Sequence, residues 1–472
     1  MRVLILLTLM FSCAVYGQSR RVGPGTTAAS ISSDPTANRS VKDMFDEANA
    51  YNRNKFAEFE QKKVAVSEAL IQQTYRERKQ LAAKYAAMVG KRTDLATDDI
   101  YYLGMLQWIA DNSEAAKAAF VNYLSKDGLP PEKSQDARAI VAVLYARGRE
   151  FDAADQTLVE YLKGSPVRLS QKAQIEKEIS KALVETGDYA KAASHADGAY
   201  SAYKTIAADP VSRDKTIDEV IESGFFLFKI YRELKDQQKA DWALEDMRKA
   251  GIDLQAGSLW FYAVDSQIKY QIETGRKPQA LTNYKIALNE ADKIFASKTT
   301  QSQVLEKLKA REKQYKVLGD AAPELTEVAP FQPNQNQTLA DLRGKVVLLD
   351  FWAMWCGPCI DAFPPMQEWK SDFGPQGFVI LGVTRYYGVA AGMPADHDSE
   401  LKYVKDFAAS HGVSYDLLMA RDETNHLAYG ATGIPTVALI DRKGVVRYLE
   451  SGSSPYRLDE LREVIAKLLA EK

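Results

Sequence analysis

From about Val41 to about Leu318, Ala, Leu, Tyr, Lys and Glu recur at helical spacing, with few prolines and hardly any strand-like alternation. That pattern predicts an all-helical region. It changes near Gly319, where Ala322-Pro323 and the stretch from Pro330 to Gln337 interrupt any helix. Beyond it, Val346 to Phe351 is a near-continuous apolar run of strand length, suited to a central strand covered on both faces. Phe378 to Val383, Thr436 to Ile440 and Val445 to Leu449 read as further strands, with Asp441-Arg-Lys-Gly444 as a hairpin turn. Ile360 to Phe373 and Leu401 to His411 have helical spacing, and a last helix carries Leu458, Leu461, Val464, Ile465 and Leu468 on one stripe. The expected architecture is multidomain: an all-α domain over residues 41–318, then an α/β domain over residues 319–472.

The helical part repeats. Asp111-Asn-Ser-Glu-Ala-Ala116, Arg149-Glu-Phe-Asp-Ala-Ala154 and Gly187-Asp-Tyr-Ala-Lys-Ala192 align at a spacing of 38 residues, with weaker echoes at Lys235 to Ala240 and Gly275 to Ala280. Each reads as a turn followed by an Ala-rich helix start. Gly permits the turn, the aromatic is expected to wedge between helices, and the small Ala lets two helices approach closely. These segments resemble degenerate tetratricopeptide repeats with a longer period. Stacked helix pairs of that kind form concave surfaces that bind a protein partner, the alternative being a spacer or assembly arm. His195, inside this region, reads as a surface or satisfied core residue rather than a ligand.

Composition narrows the class. The 472 residues are 46% hydrophobic and 26% charged, with 61 basic against 63 acidic side chains. That describes globular protein in two or three domains and excludes disorder throughout. A net charge of -2 supplies no general field for a phosphate backbone, so no nucleic-acid partner is expected. Met1-Arg2 followed by the apolar run Val3 to Val15 and Val15-Tyr16-Gly17 reads as a signal peptide over residues 1–17. The run is shorter than the roughly 20 residues needed to cross a bilayer. Ser12-Cys13 offers the alternative of a lipid anchor at Cys13. Residues 18–40, rich in Ser, Thr, Gly, Ala and Pro, read as a flexible linker. The expected location is exported, periplasmic or extracytoplasmic.

Three cysteines exclude a disulfide-dense scaffold. With the leader removed, Cys356 and Cys359 are the pair that remains, free of mispairing partners in an oxidising compartment, which favours redox chemistry. Trp355-Cys356-Gly357-Pro358-Cys359 sits where a strand passes into a helix, with Cys356 at the helix amino terminus. Unpaired backbone amides and the positive end of the dipole there favour thiolate over thiol. Cys359, three residues on, lies on the same helical face and can resolve a mixed disulfide formed at Cys356. Gly357 and Pro358 shape the tight turn between them. Asp350 is a charged residue in an apolar strand, costly unless it serves a purpose, and burial would raise its pKa.

At these residues the chain resembles the thioredoxin family. Asp350-Phe-Trp-Ala-Met-Trp-Cys-Gly-Pro-Cys359 is similar to its active-site stretch, Pro364 to its helix-kinking proline, and Gly433-Ile434-Pro435-Thr436 to its cis-proline loop. Ala322-Pro-Glu-Leu325, Leu342 to Val347 and the long segment between Cys359 and Pro435 are similar to exported thiol:disulfide reductases of the redoxin and cytochrome-maturation type. The resemblance covers about Pro323 to Lys472. It implies a thioredoxin fold with a central mixed sheet, Cys356 and Cys359 as a catalytic, redox-active disulfide pair, and proton transfer by Asp350. It also implies substrate contacts by Trp355, Gly357, Pro358, Ile434 and Pro435, with Pro435 cis.

Three functions remain in view. An exported thiol:disulfide oxidoreductase would reduce disulfides of client proteins, take electrons from a membrane thiol donor, since no nicotinamide or flavin motif is evident, and use its repeats to dock clients. A scaffold would work through the repeats, but has no chemical need of both thiols. A redoxin-type peroxidase would want Thr or Ser three residues before its cysteine, where this chain has Ala353. A zinc site would need a second ligand pair, and His397, His411 and His426 lack ligand spacing next to the cysteines, so neither metal nor other cofactor is expected.

Overall fold

The computed structural model describes residues 39–332, 338–452 and 455–471. The expected signal peptide, Cys13 and all of the expected linker but its last two residues lie outside the described residues. The described residues divide into two compact units, one up to Tyr123 and one from Leu124 on.

In the first unit the helices Val41–Gln61, Glu68–Val89 and Thr97–Ile109 bury Met44, Ala48, Tyr85, Ala86 and Leu106. Ser40 and Ser67 cap the first two, their hydroxyls accepting from the amides of Asp43 and Leu70.

The repeat signature recurs structurally at all five positions. Helices begin at Ser113, Phe151, Tyr189, Gln237 and Lys277. The turn residue two before each start, Asp111, Arg149, Gly187, Lys235 or Gly275, has φ between 55° and 81°. The residue after it donates its amide back to the carbonyl five earlier, as in Asp188 to Leu183 (3.0 Å) and Arg276 to Gln271 (2.7 Å), which satisfies the preceding helix end. Ala116, Ala154, Ala192, Ala240 and Ala280 are each fully buried. The expected aromatic wedge is weaker: Phe151 and Tyr189 are only half-buried, because the first residue of a helix lies at the rim of the contact. The spacing stretches after Tyr189 because the next two helices, Tyr189–Ala208 and Pro210–Glu233, have 20 and 24 residues. His195 is held by carboxylates, with Nδ1 2.7 Å from Glu176 and Nε2 3.2 Å from Asp155.

After the last repeat helix, Lys298–Val317, the chain enters a mixed six-stranded sheet. Its strands are β1 (Val328–Pro330), β2 (Val346–Phe351), β3 (Phe378–Arg385), β6 (Asp416–Ala420), β7 (Thr436–Ile440) and β8 (Val446–Ser451), while β4 (Val389–Ala390) and β5 (Met393–Pro394) form a separate ribbon. The order is β1-β6-β3-β2-β7-β8. β2 is central, parallel to β3 and antiparallel to β7. The expected strands are present, β3 running two residues further and the hairpin strand starting one residue later and ending two later. β1, β6 and the ribbon had no counterpart in the sequence pattern.

Side chains alternate across β2, and each face has its own core. Val347, Leu349 and Phe351 join a cluster with Trp260, Ile268, Leu308 and Tyr315 of the last repeat helices. Val346, Leu348 and Trp352 face a cluster with Cys356, Cys359, Phe363, Val404, Leu461 and Ile465. The helices therefore end where the sequence pattern changes, but the apolar core runs on across Gly319. The chain beyond it adds to β8, with Gly319 donating to the Val446 carbonyl and Val446 to that of Asp320.

Candidate functional site

The carboxyl end of β2 delivers the chain to Trp352-Ala353, both buried, and then to Cys356, the N-cap of a short helix Gly357–Asp361. The expected single helix is broken at Ala362, and a second helix runs from Phe363 to Phe373 with Pro364 and Pro365 at its start. Pro364 has no amide to donate and its ring would clash with the Ile360 carbonyl, so continuous helix is excluded. Cys356 and Cys359 are joined in a disulfide, their Cα atoms 5.3 Å apart. The Cys359 amide donates to Cys356 Sγ at 3.3 Å. A helix-start amide aimed at this sulfur would favour its thiolate on reduction. Cys356 is 5% exposed and Cys359 1%, so an incoming sulfur reaches the first more readily.

The register of β2 with β7 pairs Phe351 with Thr436, which sets the loop Gly433-Ile434-Pro435 at the same sheet end as the cysteines. The Ile434–Pro435 peptide is cis. Pro435 is buried and Ile434 half-buried, the latter packing on the cluster that contains both cysteines. Gly357 and Pro358 are exposed beside the disulfide. Trp355 is 60% exposed and rests edge-on against Tyr387 at 5.4 Å, whose ring in turn lies under the Arg385 guanidinium. Glu400, fully buried, accepts from the amides of Tyr387 (2.7 Å) and Gly388 (2.8 Å) and so fixes that loop.

Asp350 lies on the same face of β2 as Leu348 and Trp352, the face that carries the cysteine cluster. It is 1% exposed, and the polar side chain that faces it is Tyr415. Burial pushes its carboxyl up to about 7, with the nearby Tyr415 hydroxyl opposing the rise. Opposite it in register stands Gly382, where a Cβ would meet Leu417 at 2.5 Å and Tyr415 at 3.1 Å. A group with its pKa near neutrality can give or take a proton at physiological pH.

All eight residues named from sequence thus cluster around this one end of the sheet. Tyr387, Glu400 and Tyr415 were missed. The glycine inside the β3 run was the available signal for Tyr415, since such a glycine marks close approach; nothing local marks the other two. The remaining histidines have other partners: His397 stacks on Tyr386, His411 Nδ1 meets the Phe407 carbonyl at 2.9 Å, and His426 is buried against Phe351, its pKa pushed down to about 4 mainly by burial. Among the described residues no group of three or more His, Cys, Asp or Glu is placed to hold a metal ion.

The Redoxin family profile matches residues 317–465. Over 142 residues the chain is 32% identical to the thiol-disulfide oxidoreductase ResA of Geobacillus thermodenitrificans, covering 30% of this chain and 74% of that protein. The chain belongs to the Redoxin family. It is a thiol-disulfide oxidoreductase of the thioredoxin-like kind. The redoxin domain is also 29% identical over 119 residues to the thioredoxin-like protein YneN of Bacillus subtilis, which spans 25% of this chain and 64% of that one. Among solved structures it is similar to a thiol:disulfide interchange protein DsbE from Chlorobium tepidum, at 30% identity, 32% of this chain, 96% of that chain and a TM-score of 0.27. The repeat helices before residue 317 lie outside the matched family segment. Among the described residues no helix is long and apolar enough to cross a membrane.

Proposed function

We propose that the protein is an exported reductase of client-protein disulfides, working through the Cys356–Cys359 dithiol. The observation that carries this reading is the convergence, at one sheet end, of a Cys-Gly-Pro-Cys helix start, a cis-proline loop and a buried carboxylate. In the reduced enzyme Cys356 Sγ attacks one sulfur of the client disulfide; the other client sulfur leaves as a thiolate and takes a proton from solvent. Asp350, as carboxylate, accepts the Cys359 proton. Cys359 Sγ then attacks Cys356 Sγ, the second client sulfur departs, and the enzyme disulfide forms as two electrons pass to the client. Gly433 to Pro435 offers backbone groups to an extended client segment, with Trp355, Gly357 and Pro358 beside it. The enzyme is re-reduced by a membrane thiol donor, and the helical repeats dock clients or partners.

The test is reduction of insulin by the full-length reduced protein, together with the client proteins caught by a Cys359→Ser variant. Mixed disulfides at Cys356 with exported proteins are expected. Consumption of peroxide in place of protein disulfides, or no trapped client, would overturn the reading.

A further inference from the structure

The cis-proline loop is held by a residue that the redoxin domain does not contain. Gln314 lies in the last repeat helix, ahead of the family segment that starts at residue 317, and is 2% exposed. Its Nε2 donates to the Gly430 carbonyl at 3.0 Å and to Ser451 Oγ at 2.8 Å, and its Oε1 accepts from Arg311 at 2.7 Å. Ser451 Oγ lies 2.8 Å from Thr436 Oγ1, which donates to the Gly433 carbonyl at 2.6 Å.

The directions follow from counting protons. Thr436 spends its single hydroxyl proton on Gly433, so in the Ser451–Thr436 bond Ser451 donates, while its oxygen accepts from Gln314. One chain of donation therefore runs from a repeat helix through Ser451 and Thr436 to the first residue of the cis-proline loop. The loop's other side is fixed by the same strand end, the Gly452 amide donating to the Pro435 carbonyl at 2.7 Å. Gly430, with φ +64°, allows the approach: a Cβ there would come within 3.1 Å of the Gln314 backbone nitrogen.

Arg311 is itself anchored, 3.2 Å from Glu450 and 3.8 Å from Asp265, and Tyr315 donates to Asp265 at 2.7 Å. The helix that presents Gln314 is thus pinned on both sides of it, to buried Asp265 and half-buried Glu450. Buried polar chains of this kind fix one geometry when every member is satisfied.

We propose that Gln314 is a positioning residue for the cis-proline loop, so that the last repeat helix sets the conformation in which the loop meets an extended client. This rests on the reading of Gly433 to Pro435 as client-binding. A small disulfide that offers no peptide backbone depends on the cysteines alone, whereas a protein disulfide depends on the loop as well.

The experiment uses the full chain with Gln314→Ala, compared with the unaltered protein on insulin and on a small aromatic disulfide. The loss of kcat/KM on insulin is expected to exceed that on the small disulfide at least fivefold and to lie in KM. Amide hydrogen exchange at Gly433, Ile434 and Thr436 is expected to speed up at least tenfold relative to β2. Equal losses on the two substrates, or unchanged exchange at the loop, would overturn the proposal. Ser451→Ala breaks the same chain without touching the helix, and serves if the first variant does not fold. It is expected to give the same substrate-dependent loss and, where both variants fold, to be non-additive with it; a uniform loss would count against the chain. An unaltered protein that leaves insulin untouched would sink the reductase reading, and the exchange measurement would still decide the role of Gln314.

Discussion

The repeat helices and the redoxin domain are built by opposite strategies. In the repeats the signals are close in sequence: at five positions a helix starts two residues after a turn residue of positive φ, and the Ala in its first turn is fully buried. In the redoxin domain, β2 lies between β3 and β7, and Asp350 is set against Gly382 and Tyr415. Local encoding makes an array that tolerates a drifting period. Non-local encoding makes a site whose parts have no meaning singly. The two meet along β8 and the helix Lys298–Val317, where Lys269, Arg311, Asp265 and Glu450 form a largely buried charge cluster.

The sharpest test of this contrast is Cys356→Ser. Insulin reduction should fall to background while thermal stability of the repeats is retained; residual turnover near the unaltered rate would remove the chemistry from the redoxin domain.

Asp350→Asn comes next. The folded pKa of about 7 lies above the ordinary 3.8, so the folded chain holds a proton that the unfolded chain has lost. Stability from this group therefore falls as pH rises from about 4 to about 7, and the deficit persists above that. Over roughly three pKa units it amounts to about 4 kcal/mol as an upper figure. The variant should be more stable than the unaltered protein above pH 8 and no more stable near pH 4, with slower client turnover. Denaturant midpoints across pH read this directly, and parallel curves would show Asp350 to be an unperturbed carboxylate.

Breaking the seam is expected to cost somewhat less. Lys269→Met removes a cation shared by Asp265 and Glu450 and should destabilise by about 3 kcal/mol. Because the core is continuous across Gly319, the loss should appear in one transition shared by redoxin and helical probes; two separated transitions would divide the regions.

Inside the array, Ala192→Leu overfills a fully buried contact and should cost about 2 kcal/mol, with reduction of a small disulfide unchanged. The exposed pair Lys229–Glu463, 2.9 Å apart with side chains 40% and 62% exposed, should be worth under about 0.5 kcal/mol by double-mutant cycle. A larger coupling would make surface charge, rather than the buried seam, the tie between the regions.

The candidate site could be picked out in one dimension. The Trp-Cys-Gly-Pro-Cys stretch, Asp350 and Ile434-Pro435 are short motifs marked by residue type, and the fold brings them to one end of the sheet. The five turns could be read too, because a turn residue, a polar cap and a small Ala recur over a few positions. Glu400 could not, since a glutamate on a surface-patterned helix looks the same whether it faces water or two backbone amides thirteen and twelve residues away. β6 escaped because Asp416-Leu-Leu-Met-Ala is too short to tell strand from helix by period.

The sequence by itself therefore determined the fold class, the change of architecture near Gly319 and the setting of the cysteine pair at a helix start, since periodicity and motif are properties of neighbours along the chain. Tertiary structure decided the rest. It placed the last repeat helices as one covering layer of the redoxin sheet, set Gly382 opposite Asp350 so that Tyr415 could fill the gap, and ran a hydrogen-bond chain from Gln314 to Gly433. The reason is the same in each case: β-pairing and burial join residues separated by tens to more than a hundred positions, and no pattern read along the chain records which distant partner satisfies a buried polar group.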